Sequence, residues 1–146
     1  MIRRATIDDI GVVLPMAIKF NDEYFGIPLN LVKTAEVICY IIEEEIAYVS
    51  PGGFIGGIVT EDLMRDWTVL QEVAWYSTDR SGLQLLDAFV LAGRELDVDE
   101  VRVCHLETSS PIVGKLLQRR GFALLETSYR LKLGAGLCPQ SQPSSP

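Results

Sequence analysis

Between Gln71 and Leu86 the chain reads QEVAWYSTDRSGLQLL: a mostly apolar strand, a polar turn holding Asp79, Arg80, Ser81 and Gly82, then the opening of an amphipathic helix. A strand that enters a glycine-containing turn and then a helix aims several unpaired backbone N–H groups and the positive end of the helix dipole at one point. Anions bind at such points, phosphate most naturally, so the turn and the helix start form a candidate phosphate cradle. Other reactive side chains are sparse. His105 is the only histidine; it could act as a base near neutral pH or simply satisfy a structural contact. One histidine does not make a His-based zinc site, and no metal-ligand spacing is present. Cys39, Cys104 and Cys138 are odd in number and far apart, which suits reduced, structural thiols. Arg119 and Arg120 close a helix, where they answer its dipole; that role is sufficient without a ligand.

The elements that must hold these residues follow from periodicity and punctuation. Residues 2–5 read as a short strand, and Thr6-Ile7-Asp8-Asp9 as a capping box opening a helix with Ile10, Val13, Leu14, Ala17 and Ile18 on one face. Pro15 predicts a kink in it, and Asn21-Asp22 its end. A second helix is expected over 31–45 with Ala35, Ile38, Cys39 and Ile42 inward, then strands at 46–49 and 54–60 joined by Pro51-Gly52-Gly53. Gly56-Gly57 inside the second of these signals a bulge or a close backbone approach. A central strand at 68–77, a helix at 82–96 and a strand at 101–106 follow. Leu85, Leu86, Phe89, Ala92, Gly93 and Leu96 share the core face of that helix. Ser110 as N-cap, Pro111 at the first helical position and Gly121 just past the end frame a last helix. Residues 122–125 and 128–133 should then pair as terminal strands. The order predicts a mixed α/β (α+β) domain spanning 1–133, with a central mixed sheet flanked by about four helices. Residues 134–146, GAGLCPQSQPSSP, read as a disordered tail.

Size and charge narrow the function classes. A chain of 146 residues, 48% apolar, can build one real core. It has no uncharged apolar run of membrane-spanning length, and its N-terminus lacks the apolar core of a signal peptide, so a cytoplasmic protein without membrane contact is expected. A net charge of −7 disfavours direct nucleic-acid binding; it suits a cationic or amine-bearing partner, or plain solubility.

The runs PGGFIGGIVTEDL, EVAWYSTDRSG and LLQRRGF, in this order of elements, resemble the GNAT superfamily of acyl-CoA-dependent N-acetyltransferases, especially its short phage and prophage members. The resemblance covers residues 2–133 and implies splayed fourth and fifth strands with acetyl-CoA between them, as co-substrate. Its pyrophosphate would lie against Asp79, Arg80, Ser81, Gly82, Leu83 and Gln84. The backbone of Trp75, Tyr76 and Ser77 would run beside the pantetheine arm, and Ser109 would reach it. Glu72, in the central strand, would take the proton of the acceptor amine, although a cross-strand structural carboxylate is the competing reading. Glu23 and Tyr24 follow the first helix, where relatives roof the acceptor site, so they are expected to meet substrate.

Two departures stand out. Relatives usually carry Arg-Gly-x-Gly-x-Gly in the pyrophosphate turn; this chain has Arg80-Ser81-Gly82, shorter and with one glycine. Many place a tyrosine acid four residues before the Gly of the closing Gly-Phe pair, where this chain has Leu117. The resemblance implies acetyl transfer to an amine of a small molecule or protein, with a homodimer as one form. The alternative is a catalytically reduced GNAT-fold binding module acting through a protein partner, and an unrelated α/β ligand binder is a further reading.

Overall fold

The structure, a computed structural model, describes residues 1–134; the expected tail, apart from Gly134, lies outside them. The chain divides into two compact units, Met1–Pro111 and a second beginning at Ile112.

The first unit holds one five-stranded sheet in the order β1 (Arg3–Arg4), β2 (Ile46–Ser50), β3 (Gly53–Glu61), β4 (Thr68–Ser77) and β5 (Glu100–Arg102). Strands β1 to β4 pair antiparallel, and β4 pairs parallel with β5. Three helices belong to the same unit: α1 (Ile10–Tyr24), α2 (Leu31–Glu44) and α3 (Gly82–Glu95). Against one face of the sheet, Val13 of α1 and Ile41 and Ile42 of α2 pack with Val49, Phe54 and Tyr76. On the other face, Leu85, Leu86 and Phe89 of α3 are fully buried, together with Ile55 and Leu70. These are the two layers expected of a mixed sheet that must cover both faces.

Local chemistry explains most boundaries. The Asp9 carboxylate accepts from the Thr6 backbone N–H at 2.8 Å and from the Arg3 guanidinium at 2.6 Å, so the expected cap forms, ahead of a single 3-10 turn. α1 passes through Pro15 and outruns its predicted end by two residues. Asn21 is the cause: its side chain is buried and donates to the Ile27 carbonyl at 2.6 Å, while its own carbonyl accepts from Phe25 and Gly26. Gly26 takes φ +66°, the left-handed conformation that ends helices. Leu96, expected in the core, lies past α3 and is exposed.

The Gly56-Gly57 signal is met in two ways. A Cβ on Gly57 would come within 2.4 Å of the Gln71 carbonyl and 2.5 Å of Phe89, so backbone and helix approach too closely there for any side chain. The irregular register lies at the same place, but the extra residue is on the partner strand: Gly56 faces Ala74 and Gly57 faces Glu72, leaving Val73 unopposed. One inserted residue reverses side-chain alternation. Glu72 and Trp75 therefore share the α3 face, whereas Ala74 and Tyr76 face α1 and α2.

In the second unit, α4 spans Ile112–Arg119, so Pro111 precedes the first helical residue. Phe122 N–H donates to the Leu117 carbonyl at 3.1 Å and Gly121 takes φ +89°, the expected glycine termination. The predicted strands at 122–125 and 128–133 do not form; residues 122–133 carry no strand pairing. Beyond the half-buried Phe122 their large apolar residues are exposed, Tyr129 and Leu133 among them. A strand pattern without a neighbouring strand leaves its backbone groups nothing to pair with.

Candidate functional site

β4 is the axis of the site. From Thr68 to Ser77 it pairs with β3 at every residue but the bulged Val73, and with β5 only at Val69, Leu70 and Gln71. Beyond Gln71, among the described residues, the β5-side edge of β4 has no strand partner from Glu72 to Ser77, since β5 ends at Arg102. β5 is thus three residues long where six were expected, and the separation of the fourth and fifth strands begins at Glu72.

Glu72 sits at that parting and is only 7% exposed. Its Oε2 accepts the Cys104 backbone N–H at 2.9 Å, bridging the space between β4 and the chain beyond β5. Burial pushes its carboxyl up to about 7, with the Cys104 hydrogen bond pulling weakly the other way. A carboxylate poised near neutral pH can accept a proton from a substrate and release it again. No signal in the sequence marked Cys104 as its partner, because a backbone donor leaves no residue-type signature.

The turn from β4 into α3 is closed by its own side chains. Asp79 accepts from the Ser81 backbone N–H and the Ser77 hydroxyl through Oδ1, both at 3.1 Å, and from the Gly52 N–H at 2.9 Å through Oδ2. The Ser81 hydroxyl also donates to Asp79 and meets Ser50 Oγ at 2.7 Å. These donors hold the Asp79 carboxyl down at about 2, the Ser81 hydroxyl contributing most. Asp79 therefore acts as an internal anion, tying the β2–β3 turn to the start of α3. Ser77 and Ser81 spend their hydroxyls on it, and Ser50 is a participant that the sequence reading missed. Arg80 takes φ +66° and is exposed, its backbone shaped for the turn. Gly82, Leu83 and Gln84 open the helix, where first-turn N–H groups have no intrahelical acceptor. Trp75 fixes this end, its Nε1–H donating to the Gly82 carbonyl at 3.0 Å.

The remaining candidates occupy separate places. Tyr76 is buried against Phe20 and Phe54 and donates its hydroxyl to Glu23 Oε1 at 2.9 Å. Burial and the Glu23 carboxylate push that phenol up to about 12. Tyr24 stacks at a tilt on Phe20, with centroids 5.3 Å apart. Glu23 and Tyr76 are thus brought together as a pair. Ser109 turns in on its own loop, its hydroxyl donating to the Leu106 carbonyl at 2.8 Å. His105 Nε2 meets the Ser110 carbonyl at 3.1 Å, a structural contact. Among the described residues no cluster of His, Cys, Asp or Glu could hold a metal ion, and no helix is long and apolar enough to cross a membrane.

A cavity of about 490 Å³ lies between the sheet and α1 and α2 and reaches β4 at Val73 and Ala74. Phe20, Phe25, Val37 and Ile38 supply much of its wall. Glu72, by contrast, takes the opposite face of the sheet. Apolar periodicity does not foretell the cavity, since the same pattern describes a filled core.

No protein-family model matches the chain, and no curated protein matches it in sequence. Solved structures do. A probable acetyltransferase superposes with a TM-score of 0.73 at 15% identity, covering 92% of this chain and 98% of that one. A Trypanosoma brucei acetyltransferase gives 0.66 at 16%, covering 91% and 99%. A transcriptional regulator from Bacillus halodurans C-125 gives 0.69 at 14%, over the same shares. At such identities the likeness shows the fold: a mixed α+β domain built on the five-stranded sheet that acetyltransferases also use.

Proposed function

We propose that the chain is an acetyl-CoA-dependent N-acetyltransferase working by direct transfer, with Glu72 as the base. The observation that carries this reading is the position of Glu72: a buried carboxyl, pushed up to about 7, where β4 loses its β5 partner. Acetyl-CoA would supply the activated thioester. The open edge of β4 from Glu72 to Ser77 offers backbone groups to a pantetheine arm, including those of Trp75, Tyr76 and Ser77. The first-turn amides of Gly82, Leu83 and Gln84, with the Arg80 side chain, suit the pyrophosphate. Asp79 shapes this turn and, being ionised, opposes the bound phosphates; Ser77, Ser81 and Ser109 are left to structural hydrogen bonds. Glu23 and Tyr24 hold the end of α1 near the acceptor side.

The amine nitrogen attacks the thioester carbon, forming the C–N bond; the C–S bond breaks and coenzyme A leaves as thiolate. The nitrogen proton passes to the Glu72 carboxylate, and solvent protonates the thiolate, Leu117 being unable to do so. Free-thiol release from acetyl-CoA with a panel of amines tests the reading. The rate is expected to rise as pH passes through about 7, and Glu72→Gln to lower it roughly 10²–10⁴-fold and remove that rise. An unchanged rate in Glu72→Gln would overturn the assignment.

The second reading, a binding module without catalysis that acts through a protein partner, is favoured by one observation: Asp79 already takes donors that a phosphate would use. It expects no thiol release with any amine and weak or absent coenzyme A binding. In either reading the protein stays in the cytoplasm, as a monomer or homodimer.

A further inference from the structure

The cavity between the sheet and α1 and α2 has a composition that does not match the charge of the chain. The protein carries 20 acidic residues, yet among the described residues not one Asp or Glu lines this space, and its one charged lining side chain is Lys33. Its polar groups are largely committed. The Asn21 amide donates to the Ile27 carbonyl, Asn30 Oδ1 accepts from the Lys33 N–H, and the Thr34 hydroxyl donates to the Asn30 carbonyl. What remains is aromatic and aliphatic wall in a volume typical of small-molecule sites.

A polyamine or aminoglycoside entering such a space would leave several ammonium groups desolvated and unpaired, beside a lysine of like charge. Each buried unpaired charge carries a desolvation cost that this lining does nothing to offset. A neutral or singly charged amine on an apolar body meets no such penalty, because its body can fill the cavity while the nitrogen stays at the β4 end. Val73 and Ala74 line that end, and Val73 is the bulged residue next in the chain to Glu72, whose side chain takes the other face of the sheet.

We infer that the acceptor is an apolar monoamine, most favourably an arylamine, whose ring occupies the cavity between the sheet and α1 and α2 and whose nitrogen lies at the open edge of β4. This deepens the transferase reading and rests on it, and it runs against the cationic partner that net charge alone suggests. Arylamines are largely uncharged at neutral pH, so the absence of lining carboxylates costs them nothing.

The test separates binding from transfer. The whole chain, without acetyl-CoA, is titrated calorimetrically with 4-butylaniline and with spermidine; the same two amines are then assayed for thiol release. Saturable 4-butylaniline binding at least tenfold tighter than spermidine is expected, weakened tenfold or more by Ala74→Leu and by Val37→Phe. Val37 is partly exposed on α2, so the second variant tolerates added bulk if the first fails to fold. Equal or tighter binding of spermidine, no binding of 4-butylaniline, or undiminished binding in a folded filled variant would overturn the inference. Binding as expected without any thiol release would instead contradict the transferase reading alone, and thiol release with spermidine but not 4-butylaniline would contradict this inference alone.

Discussion

A buried carboxyl whose folded state favours the proton makes stability depend on pH in a definite direction. Glu72 moves from an ordinary 4.5 to about 7 on folding, so the native chain binds more protons than the unfolded chain between those values. Stability is therefore greatest below 4.5 as far as this group is concerned, and declines as pH rises through about 7. The full cost of the ionised form is about 3 kcal/mol at most. Glu72→Gln, which keeps an oxygen for the Cys104 N–H, is expected to stabilise the protein by about 1–3 kcal/mol near pH 8 and to make little difference below pH 5. Chemical denaturation at the two pH values measures it; equal effects at both would show that Glu72 is not held protonated by burial. Retained stability with lost thiol release is the pattern of a base kept at a cost for function. Glu72 was legible as a candidate through the resemblance alone, which places a carboxylate in the central strand. The roles of Asp79, Ser77 and Ser81 were not, because polar turn residues look alike whether they face a ligand or one another.

At the scale of elements, the bulge opposite Gly56 and Gly57 decides which face each β4 side chain takes. Two glycines announced an irregularity, but periodicity could not say which strand carries the extra residue, since both readings leave the same apolar count. Gly57 is required for a separate reason, the close Gln71 carbonyl, a backbone atom that cannot rotate away. Gly57→Ala is expected to cost about 2–3 kcal/mol of stability, read as a lower denaturation midpoint. Gly11, whose added Cβ would meet nothing within 4 Å, serves as the control: Gly11→Ala should be neutral or stabilising. Helix positions were readable in advance because caps and 3.6-residue spacing are local. Strand ends were less so: β5 and the segment 122–133 have strand-like sequence, and whether strands form depends on partners distant in the chain.

At the scale of the whole molecule, composition and element order led to the correct fold class, since alternating β and α segments admit few arrangements. The likeness to solved acetyltransferases over some nine-tenths of the chain agrees with it. Net charge and the cavity carry different information: −7 suits a cationic partner or plain solubility, while among the described residues no Asp or Glu lines the cavity. Surface charge keeps a domain soluble without describing its interior. The open edge of β4 and the start of α3 are proposed to form an acetyl-CoA site despite the single glycine and the carboxylate of Asp79. Isothermal titration of the whole chain with acetyl-CoA tests it most directly. Saturable binding at one site per chain is expected; no heat at millimolar acetyl-CoA would contradict it.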